Sequence, residues 1–429
     1  MKFAAQLFGS ARCAALWLLC SASISAWGQQ YFDPGVLQAP ILRMPSGYEA
    51  QGMRLGGFML LPSMDLATEW NDNIYYDPED TVSDVIYHVR PKAALVSGWS
   101  RHALNLSAWA DIAHFGDNQR EDYTDLVFTA DGRIDVRRGA FISLEADAMR
   151  LHESRSSPDD SAGVEPNRFD LGRYAAGYEH QFNRLTAALG YRQDRYRYDN
   201  NRTADGSLID NSDRDRREER LDLRFDYLVA PQRAVFAQVS SQRVRYELRP
   251  DSAGFDRNNQ GFQLRGGMNF DITGVLTGDL YAQYTEREYE DPRFNDLDDW
   301  GFGAGLTWLP TQLTTVELRA EQAPLETTIT EASSYVASLF SVRVEHELRR
   351  WLLLHARASR TNNDYQLSAS APSDTLSDTR VTRAGVALSY LFNRHAQLTA
   401  GYSWESQDAN LVLEEYDSQR FYLVLGLAL

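Results

Sequence analysis

The sequence is dominated by short segments in which apolar and charged residues alternate. In the clearest segment, from Arg220 to Tyr227, Leu221, Leu223 and Phe225 alternate with charged side chains. Neighbouring side chains of a β-strand point to opposite faces, so such a segment has one apolar and one ionic face. A soluble sandwich would bury the apolar face, whereas a membrane barrel turns it toward lipid and keeps the polar face inside. The choice between these architectures constrains the function.

The alternating segments come in pairs that recur about every 40 residues, from about residue 84 to Leu429. A soluble chain of 429 residues usually divides into two or three domains. The pattern continues here without a visible linker, which favours one large closed sheet. No run of 18 apolar residues follows the N-terminus, which argues against membrane-spanning helices.

The N-terminus has the composition of a secretory signal. Lys2 and Arg12 supply positive charge, Cys13–Cys20 is a short apolar segment, and small residues follow it. We therefore predict a signal peptide at residues 1–28. Both cysteines of the chain lie in this segment, so the mature protein would have no disulfide.

The segment that follows differs from the rest of the chain. Residues 29–53 are rich in proline and glycine, which disfavours regular structure. We interpret them as a periplasmic arm or as a segment folded into the mouth of a barrel. Residues 54–429 then form the barrel itself, an all-β domain.

The charge and the aromatic content narrow the class of protein further. The formal net charge is -17, and removal of Lys2 and Arg12 with the signal would lower it by two, to about -19. An acidic chain without a basic stripe is a poor candidate for nucleic-acid binding. The chain has 22 Tyr and 9 Trp, which predicts aromatic girdles at the two membrane interfaces. Ordinary packing in the core of a sandwich is the alternative.

Tight turns and longer polar loops alternate along the chain. One first strand in Arg54–Tyr75, eight hairpins and a final strand in Gln419–Leu429 predict about 18 strands in an up-and-down antiparallel barrel. The tight turns lie near Ser97–Ser100, Arg137–Gly139, Phe182–Arg184, Ala230–Arg233, Asp271–Gly274, Leu309–Thr311, Leu348–Arg350 and Phe392–Arg394. The longer connections, such as Glu153–Asn167 and Asp199–Arg216, are rich in Asp, Ser, Asn and Gly and would be solvated.

The order of short and long connections predicts an orientation. If both termini lie in the periplasm, every tight turn is periplasmic and every long loop is extracellular, as is usual for such barrels. A tag between Asn201 and Asp213 is then accessible on intact cells, and a tag at Asn183 or Asn393 is not. The final strand resembles the recognition signal of the outer-membrane assembly machinery, although its last residue is Leu429 rather than an aromatic residue.

The polar face of the strands supplies candidate lumen-lining residues. They are Arg220, Asp222, Arg224, Asp226, Arg265, Glu317, Arg319, Glu321, Arg343, Glu345, His355 and Arg357. Charged rows of this kind could line a wide aqueous pore and set its selectivity. They could equally pair across strands and hold the wall together. The parity of the pattern slips between Val239 and Val244, which predicts a β-bulge there.

No motif of a known active site is present in the sequence. Four histidines lie among Ser, Asp and Glu residues and are candidates for a hydrolase site: His102, His114, His152 and His180. Neither their spacing nor their surroundings match a nucleophile, metal or phosphate motif, so we assign no catalytic, cofactor-binding or metal residue. Tyr196 and Tyr198 could form a surface on which sugars stack near the outer mouth, or could belong to a girdle.

Five segments in the first third of the chain go beyond periodicity. They are Arg54–Met64, Glu69–Tyr75, Ser83–Pro91, Ser100–Leu104 and Asp122–Asp125. Together they resemble the "beta-barrel porin 2" family of outer-membrane barrels that accompany exopolysaccharide gene clusters. The specific likeness covers about residues 54–130, and the remainder resembles the family in periodicity and loop order.

The resemblance implies a large barrel in the outer membrane of a Gram-negative bacterium. It implies a channel that helps a polysaccharide cross that membrane, in some cases with a periplasmic polysaccharide-export protein, and it brings no catalytic residues. We therefore expect a non-enzymatic channel without a cofactor, in contact with outer-membrane lipid and a polysaccharide. The alternatives are a general diffusion porin for small solutes, a barrel-embedded hydrolase, and a barrel that anchors surface partners through its loops.

Overall fold

A computed structural model describes residues 44–157, 159–160, 163–272, 274–327, 329, 331–369 and 371–429. The predicted signal peptide and residues 29–43 of the predicted arm lie outside the described residues. The boundaries of the signal, the arm and the barrel stay a prediction. None of the helices in the described ranges has the length and apolar character needed to span a membrane.

The described residues form a closed antiparallel barrel of 18 strands, as the sequence predicts. The barrel strands are β2 (Phe58–Asn71), β3 (Asp84–Ser97), β4 (Ala103–Phe115), β5 (Tyr123–Arg137), β6 (Ala140–His152), β7 (Arg168–Phe182), β8 (Leu185–Tyr198), β11 (Arg216–Ala230), β12 (Arg233–Tyr246), β13 (Asn259–Ile272), β14 (Leu276–Tyr289), β15 (Leu297–Thr311), β16 (Thr314–Glu326), β17 (Ala332–Arg349), β18 (Leu352–Leu367), β19 (Asp378–Asn393), β20 (Ala396–Ala409) and β21 (Tyr416–Ala428). The short strands β1 (Met53–Leu55), β9 (Asn201–Arg202) and β10 (Leu208–Ile209) accompany them.

The first and last barrel strands close the ring. β2 pairs with β21 from Ser63 opposite Ala428 to Asn71 opposite Arg420. The short strand β1 folds back on the lower end of β2, where Gly52 donates a backbone hydrogen bond to the carbonyl of Leu429 at 2.8 Å. Closure satisfies the backbone groups that an open sheet would expose to lipid.

All eight tight turns are confirmed, and two boundaries differ from the prediction. The predicted first strand, Arg54–Tyr75, is broken at Gly56 by a turn with φ of 59° and ends at Asn71. The turn predicted at Leu309–Thr311 lies two residues later, because β15 continues through Pro310. A register shift between Trp308 and Thr311 accommodates this proline, which has no N–H for the ladder.

The outer surface of the barrel is an apolar belt with aromatic residues near both rims. Near the upper rim, Phe421 packs between Trp70 and Tyr402 with ring centroids 5.8 and 4.8 Å apart. Near the lower rim, Tyr390 packs against Trp351 at 5.2 Å. These exposed rings match the predicted girdles, which place amphipathic aromatic side chains at the membrane–water boundaries.

The predicted bulge between Val239 and Val244 is absent from the described strands. The register of β12 with β11 is continuous from Tyr246 to Ala234, and it shifts only near Ala230. The break in the hydrophobic pattern has another cause. Val239 faces lipid and is 51% exposed, whereas Val244 faces inward and is 5% exposed. An inward apolar residue is tolerated there because inner elements cover the upper end of β12.

Candidate functional site: the interior and the extracellular mouth

The charged row of β11 lies on the inner face of the wall. Arg220 Nε is 2.8 Å from Asp222 Oδ1, and Arg224 Nη2 is 2.8 Å from Asp226 Oδ1. Each pair joins side chains two residues apart on the same face of the strand. The intervening Leu221 is 50% exposed on the opposite face, whereas the side chain of Arg220 is 15% exposed. The row therefore forms ion pairs along its own strand, away from the lipid-facing surface.

Hydrogen bonds join the same row to the neighbouring strands. Arg220 Nη2 donates to Ser240 Oγ at 2.8 Å and to Gln263 Oε1 at 3.1 Å, which connects β11, β12 and β13. Arg265 of β13 donates from Nη2 to Gln283 Oε1 of β14 at 2.8 Å. Such cross-strand bonds stabilise a sheet. The wall-stabilising interpretation therefore has direct support, and a role of these residues in selectivity stays a prediction.

The second group of predicted residues lies on β16, β17 and β18. Arg319 Nη2 is 2.7 Å from Glu321 Oε2, and Arg343 Nη2 is 3.1 Å from Glu345 Oε1. Arg343 Nη1 also lies 4.0 Å from Glu317 Oε2 on the neighbouring strand. In this group too, carboxylates alternate with arginines along the strands. The group is close to charge balance, which suits a hydrated wall that does not trap a passing solute.

A tyrosine connects the two groups across β15. Tyr281 Oη of β14 donates to Glu321 Oε1 of β16 at 3.0 Å, and the guanidinium of Arg265 lies 4.3 Å from the centre of the Tyr281 ring. A Cβ at Gly303 of β15 would lie 2.0 Å from that ring, so only glycine leaves room for the crossing. The interior charges of β13 and β16 thus belong to one connected network.

The wall formed by β5 and β6 carries acidic residues that the sequence pattern did not single out. Asp131 and Glu145 are direct cross-strand neighbours, and Asp147 lies two residues from Glu145 on the same face. Arg173 approaches Asp147 to 3.8 Å, and Arg192 approaches Glu145 to 3.9 Å. Two distant arginines compensate three carboxylates only partly, so this wall is more negative than the opposite one.

The upper end of β16 leaves the wall and leans into the barrel. β15 pairs with β16 only along its lower part. Gln283 Nε2 of β14 donates to the carbonyl of Gln322 at 2.9 Å, and Arg287 of β14 lies 2.6 Å from Glu326 Oε1. Asn259 of β13 donates to the same carboxylate at 3.2 Å. The end of β16 therefore crosses the inner faces of β15 and β14 and reaches β13.

Arg257 holds the tip of the β16–β17 hairpin. Its Nη1 donates to the carbonyl of Ala332 at 2.8 Å and to that of Thr327 at 3.2 Å, and its Nη2 donates to that of Ile329 at 3.3 Å. Its Nε is 2.7 Å from Asp251 Oδ2. Arg257 is buried, so these partners satisfy a charge that burial would otherwise destabilise.

The loop between β6 and β7, Glu153–Asn167, is the second inward element. The buried Glu153 carboxylate accepts hydrogen bonds from Arg214 Nη2 at 2.6 Å and Nη1 at 2.9 Å. Arg155 donates two bonds to Glu121, at 2.8 and 2.9 Å. Two-pronged arginine–carboxylate pairs fix orientation as well as position. They attach this loop to the loops on both sides of it.

The loop and the hairpin tip meet across the extracellular mouth. Thr327 Oγ1 donates to Asp159 Oδ1 at 2.8 Å, and both residues are buried. The loop lies between β6 and β7, and the hairpin tip lies between β16 and β17. Around the ring, six strands separate β7 from β16, and eight strands separate β17 from β6. The contact therefore joins nearly opposite walls of the barrel. We define the mouth bridge as the Glu153–Asn167 loop, the β16–β17 tip and Arg257.

Burial changes the acid–base behaviour of one residue of the mouth bridge. Burial raises the pKa of Asp160 to about 6, and nearby Glu153 adds to the rise while Arg155 opposes it. Asp160 accepts hydrogen bonds from Asn167 Nδ2 at 2.7 Å and from Arg155 Nη1 at 3.2 Å. This carboxyl group, in the loop that crosses the mouth, therefore changes its protonation near a mildly acidic pH.

Tyr196 and Tyr198 lie on the inner face and are buried, so both interpretations offered for them were wrong. The guanidinium of Arg216 lies 4.1 Å from the centre of the Tyr196 ring, and that of Arg214 lies 4.1 Å from the Tyr198 ring. Phe169 stacks on Tyr198 with centroids 5.1 Å apart. The arginines and the inward elements cover these rings, so they face neither lipid nor a passing sugar.

The four candidate histidines do not assemble into a site. Their nearest acidic or phenolic partners are Asp135 for His102, Asp122 for His114, Asp125 for His152 and Tyr178 for His180. Each histidine has a different partner, and among these partners Asp122 and Asp125 are neighbours at the upper end of β5. Within the part of the chain that the structure describes, no group of three or more His, Cys, Asp or Glu side chains is arranged to hold a metal ion.

His355 has an arrangement that resembles a hydrolase relay. Its Nε2 is 3.0 Å from Ser389 Oγ, and its Nδ1 is 3.3 Å from Glu345 Oε1. Ser389 is 2% exposed, and its hydroxyl is also 2.7 Å from that of Thr399. A nucleophile must reach a substrate carbonyl, and the Ser389 hydroxyl is enclosed by its hydrogen-bond partners.

The remaining lumen-lining candidate is Arg357 of β18, which lies directly opposite Arg343 of β17.

Sequence reasoning missed the residues that build the mouth bridge. Arg257 and Asp159 lie in polar loops where such residues are common, so no local pattern distinguishes them. A signal for the crossing at β15 was present. Gly301, Gly303 and Gly305 alternate along one face of that strand, and period-two glycines mark a place where another segment approaches closely.

The model of the family described as "Putative beta-barrel porin 2" matches residues 45–429. No curated protein matches the chain.

Among solved structures, OpdO of Pseudomonas aeruginosa is similar at 15% identity over 86% of this chain and 97% of its own, with a TM-score of 0.43. The siderophore receptor PirA of Pseudomonas aeruginosa is similar at 12% identity over 86% of this chain and 80% of its own, also with a TM-score of 0.43. The FrpB iron transporter of Neisseria meningitidis is similar at 8% identity over 81% of this chain and 62% of its own, with a TM-score of 0.43.

Proposed function

The chain belongs to the β-barrel porin 2 family of outer-membrane channels, and from that premise we propose that it conducts an extracellular polysaccharide out of the cell. The observation that carries the proposal is the mouth bridge. Thr327 and Asp159 join nearly opposite walls at 2.8 Å above a charged, hydrogen-bonding interior. A diffusion porin needs a standing passage, whereas a conduit for one polymer benefits from a closed resting state.

The chemistry of the interior suits a sugar polymer. Barrels of 16–18 strands are wide enough for an aqueous channel. A polysaccharide crosses such a channel by exchanging its hydrogen bonds with water for bonds to polar walls. The pairs Arg319–Glu321 and Arg343–Glu345 offer donors and acceptors while nearly cancelling each other's charge. Balanced walls hold a long polymer weakly at many points, which allows it to move.

The proposal includes three kinds of partner. Lipid of the outer membrane surrounds the apolar belt. A periplasmic polysaccharide-export protein delivers the polymer to the lower mouth and supplies the contact that opens the mouth bridge. The outer-membrane assembly machinery inserts the barrel, with β21 (Tyr416–Ala428) as the segment that it recognises. We propose no catalytic role.

A general diffusion porin for small solutes is the second candidate. The balanced ion pairs of the lower interior are compatible with it, since small solutes also need a wet passage. Conductance of the purified barrel in planar bilayers separates the two. A barrel that stays closed in symmetric salt supports dedicated export, and one that is permanently open supports the diffusion porin.

Deletion of the gene in its native host tests the proposal directly. Polysaccharide is measured on the cell surface and in the periplasm, and the deleted strain is complemented with the wild-type gene as the control. Loss from the surface with accumulation in the periplasm is expected. An unchanged surface polymer would reject the export role and favour the diffusion porin.

A further inference from the structure

Three arginines form a row on the outer surface of neighbouring strands. Arg195 of β8 lies directly opposite Arg217 of β11, and Arg217 lies directly opposite Arg245 of β12. Like charges in direct cross-strand positions destabilise a sheet. The next outward pair below the row has the ordinary arrangement, with Glu219 opposite Arg243. The row is therefore an exception within its own surroundings.

The row faces outward and lies just above the apolar belt. Arg217 lies four residues from Leu221 on the same face of β11, and Arg195 lies four residues from Tyr191 on β8. Leu221 and Tyr191 are paired with each other and exposed. Four residues of strand span about 13 Å, which in a tilted strand is about 10 Å of height. The three guanidinium groups thus lie at the level of the lipid headgroups.

Two of the three arginines have a carboxylate partner, and the Arg195 side chain of β8 reaches across β11 to Glu247, which follows β12. Arg195 Nη2 is 2.8 Å from Glu247 Oε1, and Arg245 forms an ion pair with Glu290. Arg217, in the centre, is exposed and has no carboxylate within 4.0 Å among the described residues. A central guanidinium between two others is the arrangement that an anion with several acceptor oxygens would complete.

We propose that this row binds the phosphate groups of a phosphorylated glycolipid in the outer leaflet of the membrane. Each guanidinium presents a planar fork of N–H donors that matches two phosphate oxygens. Bound phosphate would remove the repulsion within the row, and the acyl chains of the lipid would lie along the apolar belt below Tyr191 and Leu221. No covalent step is involved. The interaction is independent of what the channel conducts.

Native mass spectrometry of the full-length barrel in detergent, titrated with bisphosphorylated lipid A, tests the proposal. Arg217→Gln keeps a polar side chain and removes the charge, and about tenfold weaker binding is expected. Arg217→Lys keeps the charge without the fork and should bind with intermediate affinity. The combined Arg195→Gln, Arg217→Gln and Arg245→Gln variant should lose roughly 100-fold. Far-ultraviolet circular dichroism verifies that each variant is folded.

Arg233→Gln is the matched control, because Arg233 is an exposed arginine at the opposite end of β12. It should bind lipid A as the wild type does. Equal affinities of the wild type and the combined variant would overturn the proposal, as would an equal loss in the control. Competition by inorganic phosphate at concentrations similar to those of lipid A would also overturn it, because the row would then be a site for free anions. If the combined variant does not fold, the two single substitutions at Arg217 decide the question.

Discussion

The lower and upper parts of the barrel interior use the same residue types for different purposes. In the lower part, ion pairs join residues that are two apart on one strand, as in Arg224–Asp226 and Arg319–Glu321. In the mouth bridge, the contacts that join different loops are between residues distant in sequence. Arg214 and Glu153 are 61 residues apart, and Thr327 and Asp159 are 168 residues apart.

The difference separates two roles for charge. A strand satisfies its own charges when they alternate, and the wall then stays hydrated and passable. A buried charge with a distant partner fixes the position of one segment against another, because an unpaired buried charge is strongly unfavourable. On the proposed function, interior charges near the periplasmic turns serve the passage, and those near the extracellular loops serve its closure.

Removal of the crossing loop is the strongest test of this comparison. Replacement of residues 154–166 by a short Gly-Ser linker removes the partner of Thr327, and the mean conductance in planar bilayers should rise at least tenfold. The control shortens the exposed outer loop at Val412 and Leu413, which takes no part in the mouth bridge. A closed channel after the first change would show that the loop does not close the mouth.

Substitution of Arg257 tests the other half of the mouth bridge. Arg257→Gln leaves Asp251 and three carbonyl groups without their shared partner, so unfolding of the hairpin tip should become easier by about 3–5 kcal/mol. Frequent openings should accompany this loss. Hydrogen exchange of the tip and bilayer recording measure the two effects. Arg249→Gln, at an exposed arginine of the same loop, should change neither, and equal effects of both variants would refute the anchoring role.

Selectivity should change in the lower part without a change in closure. Neutralising Glu145 and Asp147 with Glu145→Gln and Asp147→Asn removes negative charge from the β5–β6 wall, opposite Arg343 and Arg319. The ratio of cation to anion permeability should fall about threefold. The reversal potential in a salt gradient, measured on the loop-shortened barrel, reports this ratio. The control is Asp374→Asn, in an exposed outer loop. An equal shift of the reversal potential in this control would show that the β5–β6 wall does not determine the selectivity.

Acid should strengthen the closure modestly. Burial raises the pKa of Asp160 to about 6, so its contribution to the closed loop is full below the unfolded value near 4 and is lost as the pH rises through 6. Bilayer recordings should therefore show about twofold fewer openings at pH 6 than at pH 7.5. Asp160→Asn, which mimics the protonated form, should abolish this dependence, whereas Asp205→Asn in a neighbouring exposed loop should retain it. A persistent dependence in Asp160→Asn would assign the effect to another group.

The smallest effect is expected at Ser389. Ser389→Ala removes a buried hydroxyl that contacts His355 and Thr399, so it should lower the free energy of unfolding by about 1 kcal/mol. Transport should be unchanged, since we assign this serine to the wall. If the wild type hydrolysed ester or peptide substrates and the variant did not, Ser389 would instead belong to an active site.

The alternation of apolar and charged residues predicted most of the barrel fold but little of the structure at its extracellular mouth. The strands, the tight turns and the inward orientation of Arg220 follow from period-two patterns. Such patterns are local, so they can be recognised in a single sequence. The contact of Thr327 with Asp159 depends on how two distant segments bend, and no local pattern encodes that. Val244 illustrates the same limit, because its inward position is favourable only once other segments cover it.

The inward lean of β16 also defines how far the hydrocarbon of the membrane can extend on that side. Above Gly303, the edge of β15 that faces β16 has no partner on that strand among the described residues. Free peptide groups are costly in hydrocarbon, which offers no hydrogen bonds in return. We therefore expect the hydrocarbon to end near the level of Gly303 on this side of the barrel. A hydrocarbon layer that is thinner beside β15 than around the rest of the barrel is the expected consequence.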